Sequence, residues 1–362
     1  MTVGVGVVGA GFISDTYLEN LTAFPDVRVV GVADLDVGRA RGQAEKYGVP
    51  RSGSLAELLA VPEIEIVVNL TVPAVHVEVS LAAVEAGKHV WTEKPLGLDR
   101  GTARKLLDRA RERGVRVGCA PDTVLGAGHQ TAFRALAGGR IGVPVTALAL
   151  FQTPGPEGWH PSPEFLFQAG GGPLFDMGPY YFTQLVQVFG PVRKVTGAGG
   201  TVRGTRVIGA GPRAGTEFPV SVPTTVTALV EFVRGGSAQV VLTFDSALRR
   251  TGVVEVAGEA GTAVLPDPNR FDGATVVHSA GCEEEVAAVG HAASRGTGVV
   301  ELARAVRAGV GERASGELGY HVLDVLLAVE ESVESGVSVE VTSSVEAAEL
   351  LPVEWDPFAR TL

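Results

Sequence analysis

The opening of the chain constrains its fold more than any other stretch. Val3-Gly4-Val5-Gly6-Val7-Val8 runs straight into Gly9-Ala10-Gly11-Phe12-Ile13-Ser14, and a helical pattern follows. A β-branched run that stops at paired glycines and resumes as a helix is a strand–turn–helix unit. Its first glycine permits the tight turn, and its second lets a pyrophosphate approach the backbone. Ser14 takes the third position of the fingerprint, normally Gly or Ala, and is still small. The next predicted strand ends at Asp34, in Val32-Ala33-Asp34-Leu35-Asp36. A carboxylate there bonds ribose hydroxyls and repels a 2′-phosphate, favouring NAD over NADP. Arg39 and Arg41 follow closely and soften that preference, which leaves NADP possible. Gly9, Gly11, Phe12, Ile13 and Asp34 are therefore the expected cofactor contacts. The alternative is a glycine-rich turn in an unrelated α/β protein.

The unit repeats. Val3–Val8, Val27–Ala33, Ile64–Leu70, His89–Thr92 and Val115–Cys119 read as strands, with helical spacing over Val37–Tyr47, Ala74–Ala86 and Arg100–Arg113. Gly48, Gly87 and Gly114 follow those helices where a C-terminal glycine is favoured. Alternating strands and helices predict a parallel sheet covered on both faces. After about residue 120 the pattern changes to Val143–Gln152, Thr224–Val233, Ser237–Asp245 and Val253–Gly258, joined by turns such as Arg234-Gly235-Gly236. Helices are expected near 298–308 and 318–334, and 199–216 reads as a long loop. The predicted class is α/β: a doubly wound Rossmann domain over 1–120, then an α+β domain over 121–362 with an open, mostly antiparallel sheet, serving substrate binding and oligomerisation.

The net charge of −11 over 362 residues repels phosphate backbones and anionic lipid, so neither nucleic acid nor membrane is an expected partner. It does not oppose an anionic cofactor, which backbone amides and a helix N-terminus can bind. Two distant cysteines, Cys119 and Cys282, give neither a disulfide framework nor a metal spacing. His278, His291 and His321 add none, and no metal is predicted. No apolar stretch approaches the ~20 residues of a membrane span. With the N-terminus read as a strand rather than a leader, the expected location is the cytoplasm.

His89-Val90-Trp91-Thr92-Glu93-Lys94-Pro95 places a lysine just past a buried strand, at the edge where parallel sheets bind ligands. A solvated loop lysine is the ordinary alternative. With Ala86-Gly87-Lys88-His89-Val90 before it, this segment resembles the glucose–fructose oxidoreductase/inositol dehydrogenase/rhizopine catabolism (Gfo/Idh/MocA) family. The resemblance implies that Lys94 contacts the reacting hydroxyl and that the Lys–Pro peptide is often cis. Pro73-Ala74-Val75-His76 is similar to the family's Pro-Asn-x-x-His segment near the nicotinamide, with Ala74 in place of Asn. Thr71, Pro73, His76, Glu93 and Lys94 join the expected cofactor residues; His76 is equally readable as a helix-start histidine with a structural partner.

The second half resembles the family too. Gly170-Gly171-Gly172-Pro173-Leu174-Phe175-Asp176-Met177-Gly178-Pro179-Tyr180 matches a glycine-rich segment leading to Asp-x-Gly-x-His. Asp176 falls on the family's catalytic-site aspartate, Tyr180 stands where its histidine acid/base usually sits, and Thr183 replaces a following acid. A tyrosine with a pKa near 10 is poorly matched to neutral pH unless a cation stabilises its phenolate. The family geometry implies Lys94 as that cation. Pro179 lacks a backbone donor, so a helix over 172–189 must kink there or begin there; Tyr181 is the substitute should the register slip.

Trp159-His160-Pro161-Ser162-Pro163-Glu164-Phe165 reads either as a loop stacking on a sugar, or as core packing by Phe165 and Phe167. Trp159, His160 and Tyr181 are the candidate substrate residues. Asp122, Thr123 and His129 open the second domain and depart from the family pattern. The leading expectation is an NAD(P)-dependent oxidoreductase acting on a CH–OH group of a sugar, glycoside or cyclitol, with Lys94 and Tyr180 assisting proton transfer. The alternatives are a non-catalytic NAD-binding sensor, or a dehydrogenase of a non-sugar diol or carbonyl. The family often forms dimers or tetramers, so a homo-oligomer is expected.

Overall fold

The computed structural model describes residues 2–291 and 293–362. The chain divides into two compact units. Met1–Ala127, Gly290–Tyr320 and Leu351–Leu362 make the first, and Gly128–Val289 with His321–Leu350 the second.

In the first unit, β1 (Val3–Val8), β2 (Val27–Ala33), β3 (Ser52–Gly53), β4 (Ile66–Asn69), β5 (His89–Thr92) and β6 (Val117–Cys119) form a six-stranded sheet in the order β3-β2-β1-β4-β5-β6. Every pairing is parallel. Every residue of β1 and β4 is buried, as two-sided helix cover requires. The cover includes α1 (Ser14–Ala23), α2 (Val37–Tyr47), α3 (Leu55–Leu59), α4 (His76–Glu85) and α5 (Arg100–Arg113). The Asp36 carboxylate caps α2 by accepting from the Gly38 and Arg39 amides, and Gly48 and Gly114 end α2 and α5 in the left-handed conformation. Strand order reverses between β1 and β4, which opens a crevice at their carboxyl ends.

The second unit holds β7 (Pro144–Gln152), β8 (Val192–Gly200), β9 (Thr205–Val207), β10 (Glu217–Pro219), β11 (Thr225–Phe232), β12 (Ser237–Thr243), β13 (Arg250–Gly258), β14 (Thr262–Val264), β15 (Thr275–Ser279), β16 (Cys282–Val286) and β17 (Val339–Glu340). Nine of these make one sheet in the order β16-β15-β14-β13-β7-β12-β11-β8-β17. It is antiparallel except where β7 meets β12. Along β11, Val226, Ala228, Val230 and Phe232 point inward, the period-2 pattern of a sheet with one buried face.

Helix α6 (Ala127–Ala137) precedes the sheet in the chain, and α7 (Gly172–Phe189) packs tightly on the later part of a long C-terminal helix: a Cβ on Gly178 would lie 2.7 Å from Leu326. α7 runs through Pro179 rather than beginning there. The stretch 199–216, read as one loop, contains β9, which pairs antiparallel with β10 (Arg206 opposite Phe218). Three-residue strands amid glycines carry too little periodicity to stand out in sequence.

Candidate active site

The glycine turn closes as its residues demand. Gly9 adopts φ +100°, and a Cβ there would lie 2.7 Å from the Leu70 carbonyl. Among the described residues, none beyond its chain neighbours stands within 4 Å of where a Gly11 Cβ would be, and Phe12 is 81% exposed, so the turn is open to a ligand. The N-cap residue of α1, Ile13, makes no side-chain cap bond, which suits the start of the helix to a phosphate. Ser14 is buried and donates to the Gly11 carbonyl at 2.6 Å, so its hydroxyl braces the turn that glycine or alanine would merely fit. Asp34 Oδ2 accepts the Ala10 amide at 2.7 Å, while Oδ1 accepts the Asp36 amide at 2.8 Å and Arg39 Nη2 at 3.0 Å. Asp34 thus ties β2 to the turn and holds Arg39 beside it. These features fit a dinucleotide.

Along the same carboxyl edge, the loop after β4 wraps around one buried side chain. Asn69 donates to the His76 carbonyl at 2.9 Å and to Ser80 Oγ at 3.0 Å, and it accepts the Thr71 hydroxyl at 2.6 Å. Pro73 opens a short 3₁₀ turn, and His76 begins α4 fully buried. The two His76 ring nitrogens lie 2.7 Å from the Pro95 carbonyl and 2.9 Å from the Thr71 carbonyl. Burial pushes the His76 pKa down, and a neutral ring has one N–H for two acceptors. His76 therefore donates to one of the two carbonyls and only abuts the other.

Glu93 is 8% exposed and serves the backbone. Its Oε1 accepts the Tyr17 hydroxyl at 2.8 Å, its Oε2 accepts the Lys94 amide at 3.1 Å, and Trp91 Nε1 donates to Tyr17 at 3.2 Å. The half-buried Lys94 is thus fixed at its backbone, and its peptide bond to Pro95 is cis. Burial holds the Tyr17 phenol well above its ordinary pKa. Behind this edge, Asp122 lies in the first unit, where its Oδ2 accepts the Gly296 and Gly298 amides at 2.9 and 3.1 Å. Burial pushes the Asp122 carboxyl up to about 6 although Arg295 stands 3.7 Å away.

In the second unit, α7 carries a half-buried Asp176 and a buried Tyr180. Tyr181, expected as a substrate residue, is fully buried and spends its hydroxyl on the core: it donates to the Leu150 carbonyl at 3.2 Å and accepts the Gly252 amide at 2.9 Å. His129 and Gln184 likewise pair within the core, at 3.0 Å. Trp159 is 57% exposed, and His160 sits edge-on between it and Phe165, with centroids 5.5 Å from each. Burial lowers the His160 pKa against the opposing charge of Asp176. Phe167 packs the core, as one of the two readings of this loop required, while Trp159 and Phe165 stay exposed.

Residues 3–120 match the model of an oxidoreductase family with an NAD-binding Rossmann fold, and residues 129–264 match the GFO/IDH/MocA C-terminal domain. A trans-1,2-dihydrobenzene-1,2-diol dehydrogenase of Oryctolagus cuniculus is 30% identical over 270 residues, spanning 72% of this chain and 75% of the relative. The chain belongs to the Gfo/Idh/MocA oxidoreductase family. A 1,5-anhydro-D-fructose reductase of Ensifer adhaerens is 33% identical over 177 residues, 48% of this chain and 52% of that protein, so the chain spans about half of that relative's length. Among solved structures, an NAD-binding oxidoreductase from Klebsiella pneumoniae aligns at TM-score 0.83 with 23% identity, covering 95% of this chain and all of that one (100%). Levoglucosan dehydrogenase in complex with NADH and L-sorbose aligns at TM-score 0.83 with 20% identity, covering 94% and 99%. At these identities the structures share the fold.

Tyr17 and Asn69 escaped the sequence reading. Tyr17 lies three residues beyond the glycine motif, and only the fold brings it to Glu93 and Trp91, over 70 positions away in sequence. Asn69 ends a buried strand, where an amide with no apolar role is a detectable oddity. Among the described residues no cluster of His, Cys, Asp and Glu could hold a metal, and no helix is long and apolar enough to cross a membrane.

Proposed function

We propose that this protein is an NAD-dependent oxidoreductase that interconverts a secondary alcohol and a ketone on a sugar, glycoside or cyclitol. One observation carries the reading: Lys94 follows β5 on the sheet edge that bears the open Gly9–Gly11 turn, and Glu93 clamps its backbone amide. Bound on that turn, NAD supplies the hydride acceptor. The Lys94 ammonium holds the reacting oxygen and stabilises negative charge on it. Deprotonated Tyr180 Oη takes the hydroxyl proton in oxidation and, as the phenol, returns it in reduction, and Asp176, four residues earlier on α7, orients the same oxygen. The Asp34 carboxylate supports NAD over NADP, and its pairing with Arg39 leaves NADP a weaker alternative.

A second reading, oxidation of a non-sugar diol, is favoured by the rabbit relative's name. The purified protein with NAD is assayed against sugars, glycosides, inositols and dihydrodiols by growth of NADH absorbance. Turnover on a polyol, nearly abolished in Lys94→Ala and Tyr180→Phe with NADH binding intact, is the expected result. Full activity in Tyr180→Phe refutes the proton-carrier role. NADH binding without turnover on any substrate refutes the enzyme in favour of a sensor.

A further inference from the structure

A buried ionic centre in the second unit lies outside this chemistry. Arg206, on β9, has a side chain 1% exposed. Its Nη1 donates to Glu157 Oε1 at 2.5 Å and to the Pro154 carbonyl at 3.2 Å; its Nη2 pairs with Asp245 and donates to the Phe244 carbonyl at 3.3 Å. The guanidinium also lies over the Phe167 ring, 5.3 Å from its centroid. Asp245 Oδ2 in turn accepts the Thr224 hydroxyl at 2.5 Å. A buried arginine held between carboxylates is poor evidence for stability, because desolvation offsets the attraction. What such a centre does well is fix geometry through a planar set of donors.

The geometry it fixes is that of the exposed aromatic loop. Pro154 and Glu157 start that loop and Phe167 ends it, so one guanidinium grips both of its feet. The rest of the β9–β10 hairpin lies along it. The Gly209 amide donates to the Glu157 carbonyl at 2.7 Å, Arg213 pairs with Glu164 at 2.5 Å, and a Cβ on Gly211 would lie 2.7 Å from Pro161. At the crown of the loop, Trp159, His160 and Phe165 form an edge-to-face series, and His160 feels the charge of Asp176.

We propose that the β9–β10 hairpin is a specificity clasp: Arg206 is a positioning residue that holds Trp159 to stack on the apolar ring face of a saccharide. This rests on the functional reading above for substrate class, but its physical core is separate from it. An exposed indole on a mobile loop would lose much of its stacking to ordering entropy, and a loop held at both feet avoids that cost.

The test uses the full-length protein labelled with 5-fluorotryptophan, whose fluorine signal from Trp159 is assigned by Trp159→Phe. Arg206→Lys and the milder, exposed Arg213→Ala should each broaden or shift the Trp159 signal while leaving Trp91 and Trp355 unchanged. Saturating sugar should shift the Trp159 signal in the NAD-bound wild type. In both variants KM for the sugar should rise about tenfold with kcat within twofold, the scale of one lost aromatic contact. Trp159→Ala should do the same, and the double variant should add little. Arg213→Ala keeps the test intact should Arg206→Lys fail to fold. A Trp159 signal unaltered by either variant, or unmoved by sugar during normal turnover, overturns the clasp. A fall in kcat at constant KM also overturns it. A sugar-induced Trp159 shift that the variants weaken, without turnover, supports the clasp and refutes the oxidoreductase reading alone.

Discussion

His321 makes the second unit sensitive to acid in a way that can be worked out. The side chain is fully buried, and its Nε2 accepts the Val192 amide at 3.0 Å. An acceptor at Nε2 leaves the proton on Nδ1, which faces Ser343 Oγ at 2.8 Å. Protonating Nε2 breaks the Val192 bond and buries a charge. Burial accordingly pushes the pKa down from 6.5 to about 4, against the charge of Asp324, which acts to raise it. Below pH ~6.5 the unfolded chain binds a proton that the folded chain refuses until about pH 4. Stability is therefore fully present above 6.5 and is lost as pH falls, by about 3 kcal/mol in all and about 2 kcal/mol by pH 5.

Asp122 works in the opposite sense. Its carboxyl, raised to about 6 from 3.8, keeps a proton that the unfolded chain releases, so its contribution falls as pH rises through that window. The wild-type profile alone mixes the two, and the comparison with His321→Gln separates them. Urea unfolding followed by circular dichroism should find the variant about 1–3 kcal/mol less stable at pH 7.5. That gap should narrow by about 2 kcal/mol at pH 5. A gap that stays constant between these pH values refutes the assignment.

Tyr17→Phe strands Trp91 Nε1 and Glu93 Oε1 without the shared hydroxyl. It should cost about 2–4 kcal/mol in unfolding free energy, and steady-state kinetics should find kcat lowered at unchanged NADH affinity. Gly9→Ala forces a side chain against the Leu70 carbonyl at positive φ, and should weaken NADH binding more than about tenfold in a fluorescence titration. Asp34→Asn removes the charge that repels a 2′-phosphate and releases Arg39; the ratio of NADP to NAD turnover should rise by about tenfold.

The sheet of the first unit was legible because buried parallel strands must be written as valine runs, and the glycine turn because no other residue can occupy Gly9. The roles of neighbouring side chains were less so. Glu93 and His76 were expected at the cofactor, yet their polar atoms lie against Tyr17, the Lys94 amide and two carbonyls. A motif names the residues at an edge; packing decides which way each one points. Tyr181 is the sharper instance: its hydroxyl is spent on the Leu150 carbonyl and the Gly252 amide, partners far away in sequence. Arg206 gave no signal because its partners lie far away in sequence, at Glu157 and Asp245, and an arginine among glycines reads as solvated loop.

The Trp91 indole bears on how the first unit is made. A Cβ on Gly298 would fall 2.0 Å from that ring, so the start of the helix over Thr297–Ala308 is laid directly on it. Asp26, buried near the start of β2, likewise accepts the amides of Thr361 and Leu362 and the guanidinium of Arg304. During synthesis the ribosome must therefore deliver the segment from Thr297 through Leu362 before the first unit can close. Until then a large indole and a buried carboxylate wait uncovered, and the nascent chain offers a binding surface to chaperones.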